Sequence, residues 1–179
     1  MTPIEELMRD IVLFHDGQVR KGTGVPYAVH PIMVMNKIAE WGIIEYDMQA
    51  AALLHDVLED TIYTNVEAHI ESYGMRAMQI VQELTFTGTK EEKVQYLAKF
   101  GDSTEKSVEA LVIKVADRIC NVRDFMVNDF HYAGKYHRKA DALWEAFRDR
   151  QQEIIDRFGL PVQNRMNGDI WNLREDFDG

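Results

Sequence analysis

The sequence predicts an all-α fold, because apolar residues recur at helical spacing in almost every segment and glycines end several of the segments. Of its 179 residues, 46% are hydrophobic and 28% are charged, which is ordinary for a globular protein. A chain of this length buries about 70% of the surface that its unfolded state exposes. We find no internal repeat, low-complexity segment or linker, and we therefore expect one domain over residues 1–179.

Three helices are predicted in the first third of the chain. Residues 4–14 carry a one-sided apolar stripe, and Gly17 is the expected cap at the end of this helix. Residues 17–31 hold three glycines and two prolines, so we expect a loop there. A second helix is expected to follow Pro31 and stop at Gly42, and Asp47 is a candidate cap for the third.

The rest of the chain predicts further helices up to a mixed tail from Gly159. In order, they are a short helix that a Thr64–Glu67 capping box begins, residues 75–84, a short helix that ends near Gly101, residues 108–127 and residues 136–158. The core face of the last one consists of Leu143, Trp144, Phe147, Ile154, Ile155 and Phe158.

Charge and cysteine content exclude several classes of protein. The net charge of −10 argues against a nucleic-acid binder, although a few local cations can still hold a small phosphorylated ligand. No apolar run approaches the ~20 residues that span a bilayer, so no membrane segment is expected. One cysteine, Cys120, permits no internal disulfide, and the acidic N-terminus lacks the features of a signal peptide. We expect a cytoplasmic location; the sequence indicates no oligomeric state.

The segment AAALLHDVLED, residues 50–60, combines a buried helix pattern with a cluster of charge. It begins with alanine and leucine and then continues with His55, Asp56, Glu59 and Asp60. Burying unpaired carboxylates costs several kcal/mol each unless they are paired or bind a metal. Residues four apart share a helix face, so these four side chains are expected along one edge, where a histidine and a carboxylate can reach the same ion.

Two residues elsewhere are candidates to complete a metal site. His30 lies between the glycine-rich loop and the second helix, and Asp117 lies inside the apolar run ALVIKVADRICNV, with Asn121 four residues later. Two imidazoles and two carboxylates suit Mn²⁺ or Fe²⁺ better than Mg²⁺ or Zn²⁺, and octahedral geometry leaves two positions for water and substrate.

Each of these residues also has a simpler interpretation. His30 alone can be a turn residue, and Glu59 with Asp60 can be a solvated helix end. Asp117 can pair with Arg118 or Arg123. A second His-Asp dipeptide at residues 15–16 shows that the dipeptide alone carries little information, since a histidine near a helix end is favoured by the helix dipole.

Three segments together resemble a known family. The order of His30, His55-Asp56 and Asp117 resembles the H…HD…D motif of the HD superfamily of metal-dependent phosphohydrolases. The segments HDGQVRKGTGVPYAVHP, QAAALLHDVLEDT and VIKVADRICNVRDF resemble the hydrolase domain of the RelA/SpoT family, including its small stand-alone members. The resemblance covers roughly residues 5–125. It implies a helical bundle with the metal site between core helices and removal of pyrophosphate from the 3′ position of (p)ppGpp, usually with Mn²⁺.

The resemblance also implies roles for individual residues. The implied metal ligands are His30, His55, Asp56 and Asp117. The implied pair that positions and activates the attacking water is Glu59 and Asp60. The implied contacts with the guanine nucleotide are Arg20, Lys21 and Asn121. Residues 85–104 follow the family only loosely, so Lys90, Lys93 and Tyr96 are either phosphate contacts or a solvated face.

Two other functions stay open at this point. An HD phosphohydrolase can act on a different substrate, such as a 3′- or 2′-phosphorylated nucleotide, with the same ligands. A catalytically inactive nucleotide-binding regulatory module is the third possibility. The presence of both Glu59 and Asp60 argues against this last one, because a sensor needs neither.

Overall fold

The computed structural model describes residues 2–60 and 70–178. Every regular element of these residues is a helix and none is an extended strand, which confirms the predicted all-α fold class. The helices are α1 Pro3–Phe14, α2 Val29–Trp41, α3 Tyr46–Leu54, α4 Val57–Asp60, α5 Met75–Leu84, α6 Lys93–Ala98, α7 Val108–Asn128, α8 Phe130–Arg138, α9 Asp141–Asp149, α10 Gln151–Phe158 and α11 Leu160–Asp178. A 3₁₀ turn, Lys99–Gly101, follows α6. An isolated antiparallel bridge joins Val19 and Pro26 in the loop after α1.

Several predicted helices are confirmed together with the local interactions that begin or end them. Thr2 and Glu5 form a capping box at the start of α1, with Pro3 in the first helical turn, where a missing N–H costs no helical hydrogen bond. The Ser107 hydroxyl accepts a hydrogen bond from the Ala110 N–H at the start of α7. Gly42 ends α2 with a φ of 102°, a left-handed conformation that glycine adopts without strain. The expected Thr64–Glu67 capping box lies outside the described residues.

The second helix begins earlier than predicted. The structure starts α2 at Val29, two residues before Pro31, so the expected loop over residues 17–31 is too long. Pro31 is compatible with this start because it lies in the first turn, where backbone N–H groups have no partner within the helix. His30 is consequently a helical residue, in the first turn of α2.

The third predicted helix is divided in two. Asp47 does not cap the third helix. Glu45 is the residue at the N-cap of α3, and Asp47 lies in the first turn, where a negative charge interacts favourably with the helix dipole. α3 ends at Leu54, His55 and Asp56 form a turn, and α4 follows. The four-residue spacing survives locally, because the Asp60 N–H donates to the Asp56 carbonyl at 2.9 Å.

The predicted helix over residues 136–158 is wrong as one element, because the structure divides it among α8, α9 and α10. Buried Arg150, between α9 and α10, explains the second break. Its guanidinium donates at 2.9 Å to each of two carbonyls, those of Phe100 and Lys106, and pairs with Glu153. These tertiary bonds outweigh the helical pattern. The expected core positions Leu143, Trp144, Phe147 and Ile154 are buried, whereas Ile155 and Phe158 are partly exposed.

The tail forms α11 and packs on its own chain. Asp169 accepts hydrogen bonds from the Trp41 indole at 2.8 Å and from Arg123 at 2.8 Å, and it pairs with Lys37 at 3.3 Å. Arg165 donates to the Trp41 carbonyl at 2.7 Å. These contacts fasten α11 to α2 and α7.

α7 lies at the centre of the fold. It contacts α2, α3, α5, α8, α9, α10 and α11, and every residue from 110 to 120 is buried. A helix that is buried on all sides is expected to be apolar, so Lys114, Asp117 and Arg118 within it require polar partners. In the part of the chain that is described, no helix has the length and hydropathy to span a membrane.

Candidate active site

The four candidate ligands predicted from the sequence lie together in the structure, although they come from three places in the chain. His30 is in the first turn of α2, His55 and Asp56 form the turn between α3 and α4, and Asp117 is in the buried middle of α7. His30, His55 and Asp117 are almost completely buried, whereas Asp56 keeps partial access to solvent. The side chains therefore meet at the edge of the core and not within it.

The distances between these side chains fit a shared cation. His55 Nε2 lies 2.9 Å from Asp56 Oδ2 and 3.8 Å from Asp117 Oδ1. His30 Nε2 lies 3.1 Å from Asp117 Oδ1 and 3.6 Å from Asp56 Oδ2. One donor atom from each of His30, His55 and Asp56 lies within 4.8 Å of the others. Nitrogen and oxygen donors in this proportion suit a divalent transition metal.

The orientation of His55 leaves one ring nitrogen facing the carboxylates. Its Nδ1 is 2.7 Å from the carbonyl oxygen of Ala52, and because a carbonyl only accepts, Nδ1 carries the hydrogen. Nε2 is buried and faces Asp56 Oδ2 at 2.9 Å and Asp117 Oδ1 at 3.8 Å. A buried nitrogen held in this way is typical of a metal-ligating histidine, so the residues present fit a divalent cation.

The imidazole of His55 and the neighbouring carboxylates shift the pKa values of one another. Burial lowers the pKa of His55, but the carboxylates of Asp56 and Asp117 outweigh burial and raise the pKa to about 10. Burial likewise opposes ionisation of Asp56, yet the His55 charge holds the pKa of that carboxyl below its usual value. A divalent cation in the same place supplies the positive charge that the proton otherwise provides.

Lys114 is a member of this cluster that the sequence reasoning missed. Its ammonium donates to Asp117 Oδ2 at 2.8 Å, while the Asn121 amide and His30 contact Asp117 Oδ1. Burial opposes ionisation of Asp117, but the Lys114 charge and the histidines keep its pKa well below the usual value. The available signal was a lysine in an apolar run, three residues before the buried acid and so on the same helix face.

The simpler interpretation of Asp117, as a partner of a neighbouring arginine, is wrong. The Arg118 guanidinium lies over the Tyr136 ring at 4.0 Å from its centroid, and Arg123 pairs with Asp169. Neither arginine makes an ion pair with Asp117 among the contacts of the described residues. Asp117 is thus held by a lysine, a histidine and an amide and points into the histidine cluster.

Asp60 lies on one side of the cluster, next to a tyrosine. The Tyr27 hydroxyl donates to Asp56 Oδ2 at 2.7 Å and is 3.4 Å from Asp60 Oδ2. The Gln18 side-chain amide donates to the main-chain carbonyl of Asp60. Burial of its inner side and the Asp56 charge raise the pKa of Asp60, which still keeps an exposed face. Tyr27 and Gln18 were not predicted as site residues.

The Glu59 carboxylate has different contacts from those of Asp60. Its Oε1 accepts a hydrogen bond from the Phe86 N–H at 2.5 Å. Partial burial raises the pKa of Glu59, although the positive charges of Lys114 and Lys93 partly oppose this rise. Glu59 and Asp60 are both solvent-accessible, and their fixed contacts distinguish them from a plain solvated helix end.

A cavity of about 470 Å³ opens beside Asp60. It is lined by Gln18, Val19, Arg20, Lys21, Tyr27, Asp60 and Phe125. Arg20 is held in place, because its guanidinium donates to Asp124 at 2.7 and 3.1 Å and to the Asn121 oxygen at 2.8 Å. The three predicted nucleotide contacts are thus near one another, since Lys21 lines the same cavity and Asn121 bonds Arg20. Asp124 was not predicted.

A second cavity, of about 370 Å³, is lined by several basic side chains. Its lining consists of Lys90, Lys93, Val94, Leu97, Arg118, Tyr132, Tyr136 and Lys139. Lys93 also lies 4.3 Å from the ring centroid of Phe86, and burial together with the Lys114 charge lowers its pKa. Tyr96 differs from the expectation: it is buried, and its hydroxyl donates to the Leu84 carbonyl.

Comparisons with known proteins agree with the motif and the fold. A family model described as HD domain matches residues 11–153. The chain is 35% identical over 169 residues to guanosine-3′,5′-bis(diphosphate) 3′-pyrophosphohydrolase of Aquifex aeolicus (strain VF5), covering 90% of this chain and 21% of that protein. It is 33% identical over 115 residues to the bifunctional (p)ppGpp synthase/hydrolase SpoT of Escherichia coli (strain K12), covering 61% of this chain and 16% of that protein. The chain therefore spans about a fifth or less of the length of these curated relatives.

One solved structure has the same fold along nearly the whole chain. It is described as a metazoan ortholog of SpoT that hydrolyzes ppGpp and plays a role in starvation responses. The TM-score is 0.75 at 24% sequence identity, with 96% of this chain and 97% of that chain covered. The helices described above therefore form an established arrangement.

Proposed function

Because this chain belongs to the HD-domain family, we propose that it is a metal-dependent phosphohydrolase that removes pyrophosphate from the 3′ position of (p)ppGpp. The observation that carries the proposal is the meeting of His30, His55, Asp56 and Asp117 from three elements, with two accessible carboxylates on the short helix α4 that follows Asp56. The names of the curated relatives, which state this reaction, support the choice of substrate. We also propose that residues 1–179 form one such domain, which the packing of α11 on α2 and α7 supports.

We propose that the four residues hold a divalent metal and that Mn²⁺ is the ion. A metal held by these residues would lower the pKa of a bound water molecule and would stabilise charge on the phosphoryl oxygens. The imidazoles of His30 and His55 and the carboxylates of Asp56 and Asp117 give the mixed N/O donor set that suits Mn²⁺. Lys114 and Asn121 orient Asp117, and the Ala52 carbonyl orients His55.

Glu59 and Asp60 position and activate the attacking water. Packing raises the pKa of both carboxyls, which brings them nearer to neutral pH, where a general base works best. Water adds to the phosphorus atom that carries the ribose 3′ oxygen, and the bond between that phosphorus and the 3′ oxygen breaks. The 3′ oxygen takes up a proton, so GDP or GTP and pyrophosphate are the products.

The lysine and arginine side chains that line the two cavities supply the positive charge that a polyphosphorylated substrate needs. Arg20 and Lys21 lie beside Asp60, and Asn121 holds Arg20 from α7. Lys93 is near both Glu59 and Lys114 and reaches into the second cavity. Because the protein carries a net charge of −10, these local cations are what permits a polyanionic guanine nucleotide to bind. The cytoplasmic location stays a prediction from the sequence.

A single assay tests the proposal. Protein stripped of metal and resupplied with Mn²⁺ is incubated with ppGpp, and the products are separated by ion exchange. We expect GDP and pyrophosphate only when metal is present. Glu59→Gln should lower turnover at least ~100-fold, because it removes a base without changing shape, while Mn²⁺ content stays normal. Glu145→Gln, at an exposed position of α9, is the matched control and should retain full turnover.

Other outcomes assign the alternatives. Turnover of a 3′- or 2′-phosphorylated nucleotide, with none of ppGpp, would place the chain among HD phosphohydrolases of different specificity. Nucleotide binding with one Mn²⁺ bound and no turnover of any nucleotide would indicate a regulatory module. A full rate for Glu59→Gln would contradict the role given to that residue.

A further inference from the structure

Among the described residues of the loop after α1, only Tyr27 has a side chain that contacts both a candidate metal ligand, Asp56, and a candidate water-activating carboxylate, Asp60. Its hydroxyl is 2.7 Å from Asp56 Oδ2 and 3.4 Å from Asp60 Oδ2. A phenol has one proton and an ordinary pKa near 10, so at neutral pH it donates one hydrogen bond. The shorter distance shows that Asp56 receives it.

The oxygen that Tyr27 contacts is the one that faces the histidines. Asp56 Oδ2 is the atom that lies 2.9 Å from His55 Nε2 and 3.6 Å from His30 Nε2. A carboxylate oxygen has two lone pairs, so it can accept a hydrogen bond and still bind a metal. The Tyr27 hydroxyl therefore restrains the same carboxylate oxygen that faces the two histidines.

Tyr27 is itself held firmly. Its N–H donates to the Gln18 carbonyl at 2.9 Å, and its ring packs against the rings of His15 and His30, with centroids 4.8 and 5.9 Å away. The Arg20 guanidinium lies 5.8 Å from the ring centroid. A side chain fixed on several sides loses little further freedom when it forms a hydrogen bond, so the bond can orient its acceptor.

A second connection runs from the same loop to Asp60. The Gln18 amide oxygen contacts His15 Nδ1 at 2.8 Å, and the Gln18 amide N–H₂ donates to the Asp60 carbonyl. The main chain of Asp60 is thus attached to the loop by Gln18, and its carboxylate lies beside the Tyr27 hydroxyl. The loop between α1 and α2 therefore fixes the position of α4 relative to α2.

We propose that Tyr27 is a positioning residue that holds Asp56 in the orientation in which it binds the metal and keeps Asp60 next to it. Hydrogen bonds to ligating carboxylates and histidines typically change metal affinity or activity 10–100-fold when they are removed. The part of the proposal that concerns catalysis rests on the proposed function, whereas the part that concerns metal affinity does not.

The test compares Tyr27→Phe with the wild-type chain by titration calorimetry with Mn²⁺ alone. Removing the hydroxyl keeps the ring and its packing, so we expect the metal-free protein to stay folded and to bind Mn²⁺ about 10–100-fold more weakly. Tyr46→Phe, which removes a hydroxyl near the start of α3, is the matched control and should bind Mn²⁺ as the wild type does. At saturating Mn²⁺, ppGpp turnover by Tyr27→Phe should show a lower kcat with KM nearly unchanged, because Asp60 is then less well placed.

The outcomes separate this proposal from the proposed function. Wild-type Mn²⁺ affinity in Tyr27→Phe would overturn it, as would a wild-type chain that binds no Mn²⁺. A loss of metal-free stability with no loss of Mn²⁺ affinity would also overturn it, because the residue would then be merely structural. A chain that fails to hydrolyse ppGpp but loses Mn²⁺ affinity on Tyr27→Phe would contradict the proposed substrate and leave the positioning role supported.

Discussion

Lys114 shows how one buried side chain sets the charge of the candidate site. Its ammonium and the Asp117 carboxylate are 2.8 Å apart, and both side chains are less than a tenth exposed. Removing one partner of a buried ion pair leaves the other charge unpaired, which destabilises a protein by about 3–5 kcal/mol. A divalent cation beside Asp117 can restore the missing positive charge.

We therefore expect Lys114→Met to be less stable than the wild type by about 3–5 kcal/mol without metal and by less than this with saturating Mn²⁺. Urea unfolding with and without Mn²⁺ measures both differences. Lys135→Met, at an exposed position in the last turn of α8, should change neither value appreciably. An equal loss with and without Mn²⁺ would show that Lys114 does not share the charge of the metal site.

At the scale of single residues, the sequence predicts the candidate metal ligands better than it predicts the residues that form hydrogen bonds with those ligands. Asp117 and His55 could be found because an acid and an imidazole in apolar surroundings require a partner. Lys114 was passed over because a lysine in an apolar run can also extend its ammonium to the surface. Tyr27 could not be found, since its acceptor Asp56 is 29 residues away in the sequence and only the fold brings them together.

At the scale of elements, the positions of helices follow from apolar stripes, but some of their ends depend on tertiary contacts. α5 and α7 begin where they were predicted, at Met75 and Val108. The break at Arg150 could not be predicted, because its cause is two carbonyls from the segment before α7 that have no other signal in the sequence. The turn at His55 and Asp56 interrupts a pattern that would otherwise continue as a helix.

Asp169 carries the attachment of α11, and this makes its contribution dependent on pH. Burial opposes its ionisation, but hydrogen bonds from Trp41 and Arg123 and the charge of Lys37 outweigh burial and lower its pKa. A carboxyl with a lowered pKa in the folded state stabilises the protein above its unfolded pKa of about 3.9. That stability is lost as the pH falls through the lower folded value.

We expect Asp169→Asn to destabilise the protein by about 1–3 kcal/mol at pH 7, because hydrogen bonds to a charged acceptor are replaced by neutral ones. The difference from the wild type should shrink as the pH falls below about 4. Urea unfolding at pH 7 and pH 3 measures it. Asp156→Asn, which affects only an exposed contact with Gln152 on α10, is the control. A difference that is the same at both pH values would mean that the charge of Asp169 contributes nothing.

At the scale of the whole molecule, the candidate site depends on parts of the chain that are far apart. His30 and Asp117 are 87 residues apart in sequence, yet their side chains are 3.1 Å apart. The all-α class could be predicted because each helix carries its own stripe. The packing of α2, the turn after α3 and α7 around one point could be expected only through the resemblance to the HD family, since no single element encodes it.

A metal at this point binds the folded chain and not the unfolded one, so it should stabilise the whole molecule. At 100 times its dissociation constant, a ligand adds about 2.7 kcal/mol to the free energy of unfolding. For a protein of this size, that corresponds to a rise in Tm of about 5–10 °C.

We expect Mn²⁺ to produce this rise in metal-free protein and a chelator to reverse it, as followed by circular dichroism. Asp117→Asn should abolish the rise, because it removes the charge of a proposed metal ligand on α7. Asp169→Asn should keep the rise, since Asp169 lies on α11 and contacts α7 at Arg123, away from the candidate site. A similar rise in both variants would place the bound ion away from α2, α7 and the turn between α3 and α4, and would separate metal binding from the site on which the proposed reaction depends.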